Sequence, residues 1–231
     1  MSENGTTRPG ARTWVKICAT TNLHDAQISL AAGSDALGFI FAPSTRRIEV
    51  ETAAKIIEAL PAEIDKIGVF VNELPTRIAT IVEQVGLTGI QLHGDEPADQ
   101  MERYRQVVGQ RKIIKTLQAR ELLSSPERLD DYQRLRQSID AILLDAGSPS
   151  QRGGTGQTFG WIAAAPIVAK ARAHMPVIIA GGLNPENVAE AIRLFAPWGV
   201  DVVSGVESET GKKDEAKLRS FVGAVRQAQA A

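Results

Sequence analysis

Residues Val177-Ile-Ile-Ala-Gly-Gly-Leu-Asn184 join a short apolar run directly to a pair of glycines. The run is apolar at successive positions, which is typical of a parallel strand buried on both faces. Seven further short apolar runs share this pattern: Val15–Cys18, Ala36–Phe41, Ile67–Val71, Gly89–Leu92, Lys112–Leu117, Ala141–Asp145 and Val200–Ser204. Segments with helical spacing of apolar residues separate them, so the chain predicts an alternating α/β fold with a parallel sheet.

The number of predicted strands decides between two α/β architectures. Eight βα units of nearly even length fit a closed (β/α)₈ or TIM barrel, and 231 residues lie within its usual size range. The rival, an open doubly wound sheet, typically has about five or six strands. Because no linker rich in Pro, Gly or Ser divides the chain, we predict a single-domain TIM barrel over residues 13–231. A flexible polar leader is expected over residues 1–12.

Composition and charge exclude several kinds of partner. Lys plus Arg is 26 and Asp plus Glu is 27, a net charge of −1 that gives no reason to expect nucleic acid or an anionic membrane. No apolar stretch reaches the roughly 18 residues of a transmembrane helix. A single cysteine excludes an internal disulfide and suits the reducing cytoplasm. The three histidines show no metal-ligand spacing, so we predict no metal site.

Polar and glycine-rich segments gather where the predicted strands end, the face on which TIM barrels carry out chemistry. Glycine loops after the last strands of such barrels often bind phosphate through backbone N–H groups. The candidates for this role are Gly154, Thr155, Gly156, Gly181, Gly182, Ser204 and Gly205. Any one glycine pair could simply form a tight turn. Three such segments on consecutive loops predict a small phosphorylated substrate.

Two ionisable groups at strand ends are candidates for proton transfer. Lys16 and Cys18 lie two residues apart, so both side chains should face the barrel interior. We expect the ammonium to lower the pKa of the thiol from about 8.5. Asp145 ends an otherwise apolar run, where burial would raise the pKa of a carboxyl and keep a general acid protonated. The alternatives are a buried structural cysteine and an aspartate that caps a loop.

Other polar residues at strand ends are candidates for substrate binding. Arg46 and Arg47 follow a turn, where one guanidinium could bind a carboxylate through two hydrogen bonds. Two solvated loop arginines are the alternative. His93 shares a strand face with Gln91, and it could contact substrate, orient a neighbour or be purely structural. The substrate-binding candidates besides the glycine loops are Arg46, Lys16, His93 and Asp201, and the role of Asp201 is left open.

Taken together, these segments resemble the phosphoribosylanthranilate isomerase family of tryptophan biosynthesis. Eight segments match in order: Val15–Cys18; Leu37–Phe41 with Pro43–Arg46; Gly68–Asn72; Gln91–Glu96; Leu143–Asp145; Gly153–Gly156; Gly181–Pro185; and Val200–Asp201 with Ser204–Glu207. They span about residues 14 to 225. Each segment alone is a weak signal, whereas eight in register are specific.

The resemblance implies a function as well as a fold. The family converts N-(5-phosphoribosyl)anthranilate into 1-(2-carboxyphenylamino)-1-deoxyribulose 5-phosphate, without cofactor or metal. By resemblance, Cys18 is the general base, Asp145 is the general acid and Arg46 binds the anthranilate carboxylate. The three glycine loops then hold the phosphate. The family includes monomers and dimers, so a monomer or a homodimer is expected.

Two other functions remain open on the same barrel. A non-catalytic phosphosugar-binding relative would keep the glycine loops but could lose the acid and the base. A different phosphosugar isomerase or an aldolase is the second. An aldolase needs a Schiff-base lysine inside the barrel, and Lys115 is the nearest candidate.

Two residues depart from the family pattern. Ala19 stands where the family usually has glycine, and alanine is disfavoured where φ is positive. Val203 stands where a small residue is often found, which removes a hydroxyl from the predicted phosphate loop. Neither departure touches Cys18 or Asp145. We therefore expect altered affinity rather than loss of activity.

Overall fold

Eight parallel strands pair in chain order, and the last pairs with the first to close a barrel. This is the architecture of a computed structural model, which describes residues 12–145 and 158–230. The strands are β1 (Trp14–Ile17), β2 (Ala36–Ile40), β3 (Asp65–Phe70), β4 (Gly89–Leu92), β5 (Lys112–Gln118), β6 (Ala141–Asp145), β7 (Val177–Ala180) and β8 (Gly199–Val202). The closed ring confirms the predicted TIM barrel over the open sheet.

Helices follow the strands and cover the outside of the barrel. They are α1 (Leu23–Ala31), α2 (Val50–Glu58), α3 (Pro75–Val85), α4 (Met101–Val108), α5 (Ala119–Ser124), α6 (Glu127–Gln133), α7 (Thr158–Arg172), α8 (Val188–Phe195) and α9 (Glu215–Ala230). The sequence predicts one polar helix after β5, around residues 126–137. The structure forms the shorter helix α6 there and adds α5, which was not predicted, before it. Ser125 has a non-helical backbone, with φ −143° and ψ 74°, before Pro126, since proline disfavours helical geometry in the residue that precedes it.

The core has two layers, and the inner layer supports the site. Apolar residues on the outward faces of the strands pack against the helices in one large cluster. A smaller cluster lies in the barrel interior: Trp14, Ala36, Ile67, Ile114, Ala141, Leu143, Ile178 and Ala180. Side chains alternate along a strand, so the geometry that buries Trp14 inside also turns Lys16 inward. The apolar floor therefore carries a polar layer above it.

A small addition follows the eighth strand. After β8 the chain forms a 3₁₀ turn, Ser204–Val206, and then an antiparallel pair, β9 (Glu207–Glu209) and β10 (Lys212–Lys213). The final helix was predicted from residue 212, but it begins at Glu215 because residues 212 and 213 pair with β9. This hairpin folds back toward the carboxyl end of the barrel, where it brings two charged side chains to the site.

Two sequence-based predictions concern the ends of the chain and the membrane. Residues 1–11 of the predicted leader lie outside the described residues, and Arg12 forms an ion pair with Asp35. In the two described ranges, no helix is both long enough and apolar enough to cross a bilayer.

Candidate active site

A cavity of about 370 Å³ opens at the carboxyl ends of the strands. Its volume falls within the range of small-molecule sites. The predicted site residues that line it are Cys18, Arg46, His93, Asp145, Gly181, Gly182, Asp201 and Ser204. Residues from the ends of many different strands thus converge on one space, as the barrel architecture predicts.

Cys18 lies beside a buried ion pair. Lys16 Nζ donates to Asp201 Oδ1 at 2.8 Å, and the lysine side chain is wholly buried. Lys16 and Cys18 face the same interior, which confirms the predicted strand alternation. Lys16 does not itself line the cavity. Its position therefore favours an action on Cys18 and Asp201 over direct contact with substrate, and it explains Asp201 as the counter-ion of the lysine.

The pKa of Cys18 moves against the sequence-based prediction. Burial raises the pKa of the thiol, and this effect outweighs the lowering by the Lys16 ammonium. The Asp201 carboxylate, which sequence spacing could not place next to Lys16, raises it further. Cys18 is therefore mainly a thiol, not a thiolate, at pH 7. A raised pKa also makes the scarce thiolate a stronger base.

The absence of a side chain at Gly38 leaves the space that the Cys18 thiol occupies. A β-carbon on this residue would lie 2.5 Å from Sγ of Cys18 and 3.0 Å from Nζ of Lys16. Gly38 stands inside strand β2, where glycine otherwise weakens a strand. A glycine at such a position often marks a close approach, so the sequence did contain a signal for this residue.

Gly38→Ala is expected to lower kcat by about 10- to 100-fold, because the added methyl must displace the thiol from its place. Overpacking should also cost about 1–3 kcal/mol of stability. Steady-state kinetics and urea unfolding measure the two effects. The control is Gly223→Ala in α9, where a β-carbon meets nothing within 4 Å; it should leave kcat unchanged. A wild-type kcat in Gly38→Ala would contradict this role.

Ala19, the departure beside Cys18, has a positive φ of 65°. This left-handed conformation costs an alanine about 1–2 kcal/mol relative to glycine. The residue is fully buried, so the chain holds a strained backbone directly after the thiol. The structure thus explains why glycine would suit this position.

Ala19→Gly is expected to be nearly neutral for stability, within about 0.5 kcal/mol. It loses a buried methyl, worth about 0.8 kcal/mol, and gains unfolded-state freedom, but it relieves the strain. Ala53→Gly in α2 is the matched control, since Ala53 is equally buried but helical. That substitution should cost about 1.5 kcal/mol. Equal losses in urea unfolding would show that position 19 is unstrained.

Asp145 ends β6 and reaches the same cavity as Cys18. Its side chain is half-buried rather than fully buried as the sequence suggested. Strands β1 and β6 are separated in the barrel by β7 and β8. A ligand in the cavity would therefore meet the thiol and the carboxyl from different sides.

His93 is fixed by two polar neighbours. Its Nδ1 lies 2.8 Å from Gln91 Nε2 and 3.2 Å from Thr116 Oγ1. Burial lowers the pKa of His93, so the ring is neutral at pH 7. The histidine thus combines a satisfied structural contact with a place on the cavity wall.

The glycines after β7 and β8 meet a backbone requirement. Gly181 and Gly182 have φ values of 93° and 65°, which glycine adopts without strain. A β-carbon on Gly205 would lie 1.9 Å from the carbonyl oxygen of Leu183, so the two loops touch only because this residue is glycine. Gly205 packs behind the cavity wall that Ser204 lines. Gly154, Thr155 and Gly156 lie outside the described residues.

Arg46 is held by a residue that the sequence analysis did not assign. Its Nε and Nη2 both donate to the carboxylate of Glu207 at the start of β9, at 2.7–3.1 Å. The same carboxylate accepts from the buried Lys213 at 3.3 Å. Arg47, in contrast, is half exposed and pairs with Glu49. Glu207 stood within a quoted motif, but no sequence rule pairs two residues so far apart.

Comparison with known proteins agrees with this geometry. A family model described as N-(5′-phosphoribosyl)anthranilate (PRA) isomerase matches residues 15–224. A curated relative from Pelobacter propionicus, named N-(5′-phosphoribosyl)anthranilate isomerase, is 46% identical over 209 residues. That alignment covers 90% of this chain and 93% of the relative.

Solved structures give the same result. A phosphoribosyl anthranilate isomerase in complex with reduced 1-(o-carboxyphenylamino)-1-deoxyribulose 5-phosphate superposes with a TM-score of 0.76 at 36% identity, covering 93% of this chain and 99% of that one. Monomers generated from the dimeric enzyme of Thermotoga maritima superpose with a TM-score of 0.75, also at 36% identity and with the same coverage. The chain therefore belongs to the N-(5′-phosphoribosyl)anthranilate isomerase family.

Proposed function

We propose that Cys18 and Asp145 perform the proton transfers of the reaction that this isomerase catalyses. That reaction is the Amadori rearrangement of N-(5′-phosphoribosyl)anthranilate to 1-(2-carboxyphenylamino)-1-deoxyribulose 5-phosphate, a step of tryptophan biosynthesis. The observation that carries the proposal is the convergence of a thiol, a carboxyl and a guanidinium on one cavity.

The first step opens the ribose ring. The Asp145 carboxyl gives its proton to the ring oxygen while the C1′–O bond breaks. The lone pair of the anthranilate nitrogen moves into a C1′=N bond, which forms an iminium ion. This cation then acts as the electron sink for the next step.

The second step moves a proton from C2′. The Cys18 thiolate removes it, and the C–H electrons form a C1′=C2′ bond as the nitrogen regains its lone pair. The resulting enolamine takes a proton at C1′ and loses the proton of its C2′ hydroxyl, which yields the ketone. Carbon 1′ is reduced and carbon 2′ is oxidised, so oxidation and reduction balance within the substrate and no external oxidant or reductant is needed. Each positioned proton transfer contributes about 10²–10⁴-fold in rate.

Two charged groups of the substrate have candidate partners in the cavity. The anthranilate carboxylate is assigned to Arg46, a cation on the cavity wall. The phosphate is assigned to the loops of Gly181, Gly182, Ser204 and Gly205, together with Gly154–Gly156, which lie outside the described residues. A relative 36% identical to this chain is in complex with a reduced 5-phosphate product analogue, which supports a phosphorylated ligand. Backbone donors can bind phosphate without a basic chain.

The two competing functions receive less support. A purely binding relative would not need both a thiol and a carboxyl in the cavity. The aldolase hypothesis needs an available lysine, but Lys115 Nζ donates to Glu96 Oε2 at 2.7 Å, and both side chains are almost fully buried. Lys115 also lies outside the cavity lining. Its geometry is that of a structural ion pair.

A direct assay tests the proposed function. N-(5′-phosphoribosyl)anthranilate is generated in place, purified protein is added, and loss of the substrate's fluorescence is followed beside a Cys18→Ser control. Rapid loss with the wild type alone supports both the reaction and the base. No loss with a folded wild type would overturn the activity. We place the enzyme in the cytoplasm, as a monomer or a homodimer, and gel filtration tests the oligomeric state.

A further inference from the structure

Arg46 offers only one of its edges to a ligand. Glu207 occupies the Nε–Nη2 edge through three contacts. Nη1 makes no hydrogen bond to any residue within 12–145 and 158–230. The side chain remains 21% exposed and lines the cavity. The edge formed by Nη1 and the second hydrogen of Nη2 is thus the one left for a carboxylate.

Glu207 is itself fixed in place. Its side chain is only 4% exposed and lies between Arg46 and Lys213. Lys213 is fully buried and also donates to the carbonyl of Val203 at 3.3 Å. Its backbone N–H donates to the buried Asp25 at 3.0 Å. The hairpin of β9 and β10 is therefore anchored to the barrel, and the carboxylate is buried between two cations.

The charges of this cluster favour an anionic ligand. Burial alone would raise the pKa of Glu207, but Arg46 and Lys213 together hold it below its usual value. The carboxylate stays ionised and is balanced by two cations. Burial lowers the pKa of Lys213, and the Glu207 carboxylate opposes that lowering. With Lys213 protonated, Arg46, Lys213 and Glu207 carry a net charge of +1 beside the cavity. Without Lys213, the charge of Glu207 would cancel that of Arg46.

We propose that Glu207 is a positioning residue that, braced by Lys213, clamps Arg46 so that its free edge points at the substrate carboxylate. The inference rests on the proposed function, because it assumes that Arg46 binds this carboxylate. It assigns the hairpin of β9 and β10 a role in selecting carboxylated substrates. A clamped guanidinium loses less side-chain freedom when the substrate arrives, which favours binding.

Competition is the opposite possibility, in which Glu207 imitates the substrate carboxylate and must leave before binding. Two observations argue against it. The carboxylate holds the side edge of the guanidinium, and no described residue occupies the other edge. Its burial against Lys213 also opposes displacement, since the buried lysine would lose its charged partner.

The test compares the binding of two ligands to the wild type and two variants. The probes are reduced 1-(o-carboxyphenylamino)-1-deoxyribulose 5-phosphate and the same molecule without its carboxyl group. Calorimetry measures the Kd of each for the wild type, E207Q and R46A. We expect E207Q to weaken the carboxylated probe by about tenfold and the other probe by less than about twofold. In kinetics, E207Q should raise KM and leave kcat nearly unchanged.

Each outcome has a distinct meaning. Equal weakening of both probes in E207Q would reduce Glu207 to a structural residue and overturn the inference. Tighter binding of the carboxylated probe would also overturn it, in favour of competition. If R46A weakens both probes equally, Arg46 does not bind the substrate carboxylate, and both the proposed contact and the inference are overturned. If R46A selectively weakens the carboxylated probe and E207Q does not, only the inference is overturned.

Two further variants serve as controls for this test. E209Q changes an exposed glutamate on the same short strand, and it should alter neither Kd. If E207Q does not fold because Lys213 is left buried without a charged partner, E207Q/K213M removes both charges together. That double variant should show the same selective loss for the carboxylated probe, and an equal loss for both probes would contradict the inference.

Discussion

Cys18→Ser is expected to lower kcat by about 10³-fold or more, while binding of a phosphorylated product analogue changes little. A serine hydroxyl keeps the size and the hydrogen-bonding capacity of the residue, but it ionises far less readily than a thiol. Removal of the C2′ proton then lacks its base, and positioned proton transfer is worth about 10²–10⁴-fold. Steady-state kinetics with the fluorescent substrate measures the loss.

The pH profile gives this prediction a second readout. A base must be deprotonated to act, so kcat/KM should rise with pH as the Cys18 thiol ionises in the free enzyme. Burial raises the pKa of this thiol, which places the rise at a higher pH than for an exposed cysteine. In Cys18→Ser this alkaline rise should disappear.

Binding separates loss of chemistry from loss of structure. The Kd of the reduced product analogue should stay within about twofold of the wild-type value in Cys18→Ser, because serine keeps the shape of the residue and the hydrogen-bond partner of the thiol is Lys16. A variant that keeps near-wild-type kcat would remove Cys18 as the base. A variant that loses binding and turnover together would point to a packing role against Gly38 and Lys16 instead.

The sequence was sufficient to predict the barrel because its strands carry a local signal. Each strand is a short apolar run, and its ends lie within two residues of the predicted ones. Where the prediction was wrong, a local interaction decided the outcome. Pro126 separates α5 from α6, so the segment after β5 holds two short helices where only one, around residues 126–137, was predicted. The pairing of β9 with β10 delays the final helix.

The candidate site was predicted less completely, because part of it depends on contacts between distant residues. Cys18, Asp145 and Arg46 stand at strand ends and could be found from their positions alone. The pairing of Lys16 with Asp201 and of Arg46 with Glu207 depends on closure of the barrel. The raised pKa of Cys18 follows from burial, which outweighs the lowering by Lys16 and is reinforced by Asp201. A single sequence shows neither which distant residues pair nor how deeply a side chain is buried.

Asp145→Asn is expected to lower kcat by about 10³-fold, since an amide cannot deliver the proton that opens the ribose ring. The amide keeps the shape of the carboxyl, so the barrel should fold and bind the reduced product analogue as before. Steady-state kinetics and calorimetry measure the two effects side by side. A near-wild-type kcat would remove Asp145 as the acid.

Asp140→Asn is the matched control, because Asp140 precedes the same strand at its opposite end. Its carboxylate accepts from Arg105 at 2.5 Å and from the backbone of Ile113 at 2.8 Å, far from the cavity lining. Loss of these contacts should cost about 1–2 kcal/mol of stability and leave kcat unchanged. The two aspartates flanking β6 would then differ as a TIM barrel requires, with stability at the amino end and chemistry at the carboxyl end. If both variants lost stability and neither lost kcat, the proton donor would have to be another residue on the cavity wall.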